Sequence, residues 1–231
     1  NADQQYDFQQ YLRGDYLRKN IRAIRNNQQI WLSIVGLAIF WSIAQLLLAA
    51  YPSYVEETLG ITDTVPIQAA MACAGLGLMF GSWIASEVSR GRIEVGLISI
   101  VAFGVAASAL IIPMIDSLLA HSLAFVALGT LGAMFIVPLN ALIQYHAKTE
   151  KRSSVLSANN FVKNFFMLSF LGLTVVSAYL RNNIKSLLIL MVGVAFVCAC
   201  YCVYKVPQLL VRFLFTEVFY LNSRLIVTVF Y

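Results

Sequence analysis

Charge is the first thing this sequence lacks. Only 12% of its 231 residues are Asp, Glu, Lys or Arg, while 60% are hydrophobic, and the mean hydropathy is +0.76. Soluble domains carry about 25% charged and about 45–50% apolar residues, so a water-soluble globular fold is excluded. A sustained alternation of apolar with polar residues is also missing, which excludes a membrane β-barrel. Histidine is reduced to His121 and His146, and neither is followed four or five residues later by Asp. Glu87 and Glu94 have no nucleophile beside them. No catalytic constellation is visible, and no enzyme activity or cofactor is expected within this chain.

The four cysteines, Cys73, Cys198, Cys200 and Cys202, all lie inside apolar runs. Cys198 and Cys202 share a helix face, a spacing that suits a metal. A thiolate in hydrocarbon is costly, however, and no His or carboxylate stands near, so small apolar filler is expected and no metal. No disulfide framework is indicated. The net charge of +5 is not a nucleic-acid footprint, because the basic residues flank apolar spans instead of gathering on one soluble face. The glycines at 75, 77 and 81 are no phosphate loop, since no strand precedes them and no Lys-Ser/Thr follows. With Ala74 and Ala85 they read as a small-residue face for close helix packing.

What the chain does have is long apolar runs. Six are of membrane length, at about 30–51, 66–86, 93–112, 121–144, 155–180 and 185–206, each able to cross ~30 Å of hydrocarbon at 1.5 Å per residue. Backbone groups in hydrocarbon must pair within their own segment, so each run is predicted to be a helix. The expected organisation is a cytoplasmic linker at 1–28, a six-helix bundle at 29–206, and an interfacial tail or the start of a further domain at 207–231. Apolar positions Tyr11, Leu12, Tyr16, Leu17, Ile21 and Ile24 within 1–28 allow an amphipathic surface helix; a loosely ordered linker fits equally. The chain opens on Asn with no signal-peptide pattern and is read as a piece of a longer protein.

Orientation follows from Lys and Arg. Arg13, Arg18, Lys19, Arg22 and Arg25 precede the first span; Arg90 and Arg92 lie in the 87–92 loop, and Lys148, Lys151 and Arg152 in the 145–154 loop. Lys205, Arg212 and Arg224 lie in the tail, so one side collects 13 basic residues. The other has two, Arg181 and Lys185. Both ends of the chain are therefore expected in the cytoplasm.

Polar residues inside spans point to function, because hydrocarbon offers them no partner. They concentrate in spans four and five. Asn140 and Gln144 stand at i, i+4 next to Pro138. Span five carries Asn159, Asn160, Lys163 and Asn164, of which the last three form one stripe. Lys163 is the one basic residue well inside a span, roughly 16 Å along the helix from Arg152. At that depth a Lys costs ~2.5–3.5 kcal/mol, so it either attracts an anionic head group from a wet cavity or snorkels to the interface. For the Asn and Gln side chains, interhelical hydrogen bonding and substrate contact are both open.

The loop GSWIASEVSRGRIEVG between spans two and three resembles the repeated loop motif of the major facilitator superfamily, Gly-x-x-x-Asp-Arg-x-Gly-Arg-Arg. Gly81, Arg90, Gly91 and Arg92 answer to its glycines and basic residues; its Asp is missing, with Ser86 and Glu87 nearby. GRIEVGL at 91–97, VPLNALIQ at 137–144 and SANNFVKNFFM at 157–167 resemble the lysophospholipid transporter branch, although Lys163 departs from the uncharged residue expected there. The resemblance covers about residues 28–213, and PQLLVRF at 207–213 looks like a segment joining carrier to acyltransferase.

The resemblance implies an all-α fold, the C-terminal six-helix half of a carrier built from two three-helix repeats and working by alternating access against an N-terminal half. The implied cargo is lysophospholipid, moved across a bacterial inner membrane for re-acylation, with membrane lipids and a fused acyltransferase as partners. Asn140, Gln144, Asn159, Asn160, Lys163 and Asn164 are then candidates for the substrate cavity. Gly81, Glu87, Arg90, Gly91 and Arg92 become the cytoplasmic gate. Efflux of drugs or other amphiphiles, or a non-transporting anchor for a catalytic domain, are the alternatives.

Overall fold

Among the described residues, apolar runs of this length, with all backbone partners supplied internally, form six long helices. The computed structural model describes residues 21, 24–25, 27–88, 95–147, 152–180 and 183–205. The helices are α1 (Gln28–Leu59), α2 (Thr64–Val88), α3 (Val95–Ile111), α4 (Leu118–His146), α5 (Arg152–Tyr179) and α6 (Ile184–Lys205), with a 3-10 turn, Ile112–Met114, extending α3. No strand occurs among the described residues. Five helices are long and apolar enough to span a bilayer, and the shorter apolar stretch Ile98–Met114 accompanies them.

Short polar side chains set the helix starts. The Asn27 Oδ1 accepts hydrogen bonds from the Gln29 and Ile30 amides at 3.1 and 3.3 Å. Asp63 Oδ1 accepts from the Val65 amide at 3.0 Å, and Asn183 Oδ1 from the Lys185 amide at 2.8 Å. Each supplies an acceptor for a donor that has no partner within the helix. Inside the spans, Ser42, Ser108 and Thr130 return their hydroxyl protons to the carbonyls of Ala38, Gly104 and Val126 at 2.7–2.8 Å. A polar group in an apolar layer is satisfied this way without a neighbouring helix.

One boundary differs from expectation. The first span was expected to end near residue 51. Instead α1 runs through Pro52 to Leu59 and stops at Gly60, whose φ of 68° is the left-handed geometry that closes a helix. At 32 residues, α1 is about 48 Å long and overreaches the hydrocarbon. One face of its last turns is nevertheless buried, because Tyr51, Tyr54 and Val55 fall at i, i+3, i+4 and pack into the core. Most of the 1–28 linker, Arg90, Gly91 and Arg92 of the loop motif, and the tail after Lys205 lie outside the described residues; within the linker, Ile24 is buried in the core.

α1 and α4 are the centre of the bundle. α2 lies along α4 and α5 along α1, while α3 and α6 pack on each other; α3 also reaches α4, and α6 reaches α1. Exchanging α1 with α4, α2 with α5 and α3 with α6 converts each of these pairings into another of the set. This is the packing that two inverted three-helix repeats produce.

The α2–α4 seam is the tightest. Gly77 and Gly81 are buried, and a Cβ on either would strike the Val126 or Thr130 carbonyl of α4; a Cβ on Gly129 would strike the Ala74 carbonyl of α2. Ala70 and Ala85 continue the same buried face. Small residues bring helix backbones together where lipid supplies no hydrophobic drive. Gly75, expected on this face, is not part of it. It is exposed with nothing within 4 Å, since it lies about 100° round the helix from Ala74.

Candidate functional site

α5 carries most of the polar side chains, and its placement decides what they meet. It packs on α1 through Val155, Ala158, Asn159 and Val162, and otherwise presents most of its length outward. Adjacent residues on a helix point about 100° apart, so the Asn159–Asn160 pair is split. Asn159 is buried, and its Oδ1 has no hydrogen-bond partner. Asn160 and Asn164 are exposed and Lys163 is half-buried, so the predicted stripe stands on the open side of the helix. Phe161 and Phe165 flank it as stacked rings 6.4 Å apart, and Phe165 meets Phe166 edge-on at the same separation. A cationic, amide-lined strip beside aromatic rings can hold an anionic or zwitterionic group at one end and apolar chain at the other.

The α4 candidates stand apart from this strip. Asn140 is half-buried and Gln144 exposed, on a helix that packs on α1 and α2 and scarcely touches α5. Among the described residues no hydrogen bond joins the α4 pair to the α5 stripe. What links the two helices is Arg152, whose guanidinium donates to the Gln144 carbonyl at 3.2 Å and so ties the start of α5 to the end of α4. Gln45, half-buried midway along α1, was not singled out by sequence reasoning although it too is an amide within a span. Of the loop-motif residues, Gly81 lies in the α2–α4 seam and Glu87 is exposed at the end of α2.

Between α1, α3, α4 and α6 lies a small apolar cavity lined by Gly36, Ile39, Phe40, Val105, Phe135 and Cys198, among others; its volume is about 40 Å³. That is far too small for a lipid. Larger apolar surface lies outside, where α2 and α5 leave Leu76, Met79, Phe80, Trp83, Phe165 and Leu168 exposed.

A second polar cluster was not foreseen. His121 at the start of α4 is fully buried beside Tyr51 and Tyr54 of α1, with ring centroids 5.6 and 5.9 Å away. Its Nε2 lies 3.0 Å from the Ile112 carbonyl and 2.9 Å from that of Ile115. The Tyr54 hydroxyl donates to the same Ile112 carbonyl at 3.5 Å. The spacing of Tyr51, Tyr54 and Val55 was the available signal, hidden by Pro52 and by the two glutamates that follow.

Residues 9–170 match the family model described as the Major Facilitator Superfamily. Among curated proteins, the chain is 27% identical to the lysophospholipid transporter LplT of Cronobacter sakazakii, over 66% of this chain and 38% of that one. It is 28% identical to the LplT of Citrobacter koseri, over 68% and 42%, and 31% identical to that of Pectobacterium carotovorum, over 62% and 35%. The chain thus spans about two fifths of the length of the curated relatives it matches. No solved structure matches it.

Proposed function

Because the chain belongs to the Major Facilitator Superfamily, a family of carriers and not of enzymes, we propose that it is the C-terminal half of a lysophospholipid transporter. It would lie in a bacterial inner membrane with both of its ends in the cytoplasm, as the distribution of Lys and Arg supports. Its helices make it a multi-pass membrane protein. The observation that carries the reading is the outward stripe of Asn160, Lys163 and Asn164 on α5. A half-buried Lys near mid-span is too costly to leave in lipid, and α1 does not cover that side. The stripe therefore belongs against a wet cavity, closed on its far side by an N-terminal half.

Lysophospholipid suits that cavity by its chemistry. Its phosphate pairs with the Lys163 ammonium, its glycerol and ethanolamine groups exchange hydrogen bonds with the two Asn amides, and its single acyl chain lies along Phe161 and Phe165. That the relatives are lysophospholipid transporters supports this cargo. Alternating access would come from rocking of the two halves about the site, and the resemblance assigns Gly81, Glu87, Arg90, Gly91 and Arg92 to the cytoplasmic gate. Delivery on the cytoplasmic side would feed an acyltransferase, fused or separate, that restores the second chain. Asn140 and Gln144 would line the same half-cavity from α4, whereas Asn159, buried against α1, faces away from it.

The test is uptake of labelled lysophosphatidylethanolamine by vesicles carrying the full-length protein. Uptake above protein-free vesicles is expected. Lys163→Arg should keep most of it and Lys163→Ala should lower it about tenfold or more, the factor that ~1.4 kcal/mol of lost charge-assisted binding represents. No uptake above background refutes the cargo; equal uptake in all three proteins refutes the role of Lys163.

A further inference from the structure

The cluster around His121 leaves two atoms without partners, and they are complementary. Carbonyl oxygens only accept, so Nε2, facing those of Ile112 and Ile115, must carry the ring proton. In the neutral ring Nδ1 is then an acceptor. It is buried and has no donor. The Tyr51 hydroxyl, also buried and without a partner, is a donor on the neighbouring ring, 5.6 Å away between centroids. Such groups cost free energy when left alone, and a pair of them in one pocket is more than packing needs.

We propose that His121 is a proton-binding latch at the membrane face opposite the cytoplasmic loops. One proton, taken from water at that face, forms the Nδ1–H bond and converts imidazole to imidazolium. Nδ1 then becomes a donor, and the Tyr51 hydroxyl, unpartnered on the neighbouring ring, accepts from it once either ring turns to bring the two atoms within reach. Nε2–H becomes a charge-assisted donor to the Ile112 and Ile115 carbonyls, and the Tyr51 and Tyr54 rings lie within the range of cation–π attraction. Histidine is the side chain whose charge changes near neutral pH. The proton therefore tightens the hold of α4 on the α3–α4 connection and, through Tyr51, on α1. The groups facing this site are Tyr51 and Tyr54 from α1 and, from the connection, Asp116, which acts on Tyr54. Glu56, Glu57 and Asp63 stand exposed at the same end. The inference does not depend on the cargo.

Histidine-ring nitrogen NMR on the full-length protein in micelles tests it without any transport measurement. The His121 signals are those lost in His121→Gln. They should show protonated Nε2 and bare Nδ1 at alkaline pH, and the imidazolium pattern on acidification over the pH range in which the protein stays monodisperse. Tyr51→Phe, which removes only the hydroxyl, should shift the Nδ1 signal of the protonated ring. The latch itself is read at Ser117, exposed and making no side-chain capping bond. Maleimide labelling of Ser117→Cys, divided by its rate in the His121→Gln background at the same pH, should fall about fivefold on acidification. A neutral pattern that persists through this range, an unmoved Nδ1 signal in Tyr51→Phe, or a labelling ratio that does not change with pH overturns the proposal.

Discussion

Adding one methyl group at Gly81 should loosen the bundle more than any comparable change elsewhere on α2. An ideal Cβ there lies 2.7 Å from the Thr130 carbonyl carbon and 2.8 Å from its Cα, and it overlaps the carbonyl oxygen. Carbon atoms rest at about 3.5–4.0 Å, so α2 and α4 must part by roughly 1 Å. The obstacle is backbone, with no side-chain rotamer to turn aside. A gap of that size forfeits a quarter to a half of each dispersion contact along the seam, and overpacking of this kind costs about 1–3 kcal/mol. For a domain of this size ~1 kcal/mol corresponds to about 2–4 °C, so at the middle of that range, about 2 kcal/mol, Gly81→Ala should lower the apparent melting temperature by roughly 4–8 °C. Full-length protein in detergent, heated and then scored for its monodisperse fraction, gives the measurement. Gly75→Ala is the control, because it adds the same methyl on the same helix into open space. If Gly81→Ala melts with Gly75→Ala, the seam is not as close as described and the reasoning fails.

Two further outcomes follow from single positions. Gly60→Ala places a side chain at φ 68° with no neighbour within 4 Å, so its cost is backbone alone, about 1–2 kcal/mol; a melting temperature unchanged within error would mean that α1 does not close there. Asn159→Leu removes a buried, unpartnered carbonyl and should leave stability equal or higher, since an apolar replacement of a lost pair is near neutral or favourable. A large loss of stability would show that Asn159 has a partner within the chain.

The helices could be read from sequence because each needs about twenty uninterrupted apolar residues, a constraint few other structures meet. Gly77 and Gly81 were legible for a similar reason: small residues four apart leave one flat strip. Gly75 was not separable from them, since only contact with α4 selects which strip is used. Asn159 and Asn160 are alike in sequence and opposite in environment, because α1 covers one side of α5 and sequence does not state which. The His121 cluster was hidden more deeply. Its partners are main-chain carbonyls of a turn, and every residue type supplies a carbonyl, so no pattern of side chains announces it. The first span was expected to end near residue 51, where the apolar run ends, whereas buried positions at i, i+3 and i+4 together with Gly60 describe a helix that continues to a stop.

The two flanking helices hold equivalent positions but not equivalent fastenings. α2 is set against α4 backbone to backbone, at glycines that leave no slack. α5 rests on α1 through side chains, and Gly172, the glycine along its length, touches nothing within 4 Å. A joint made of side chains can slide by changing rotamers; one made of main chain cannot. Matched in topology, the repeats are therefore unmatched in compliance, and a load applied to the bundle is absorbed first along the α1–α5 joint. That joint carries Asn159, and the stripe of Asn160, Lys163 and Asn164 stands on the open face of the same helix, so the stripe rides on the element that is free to slide.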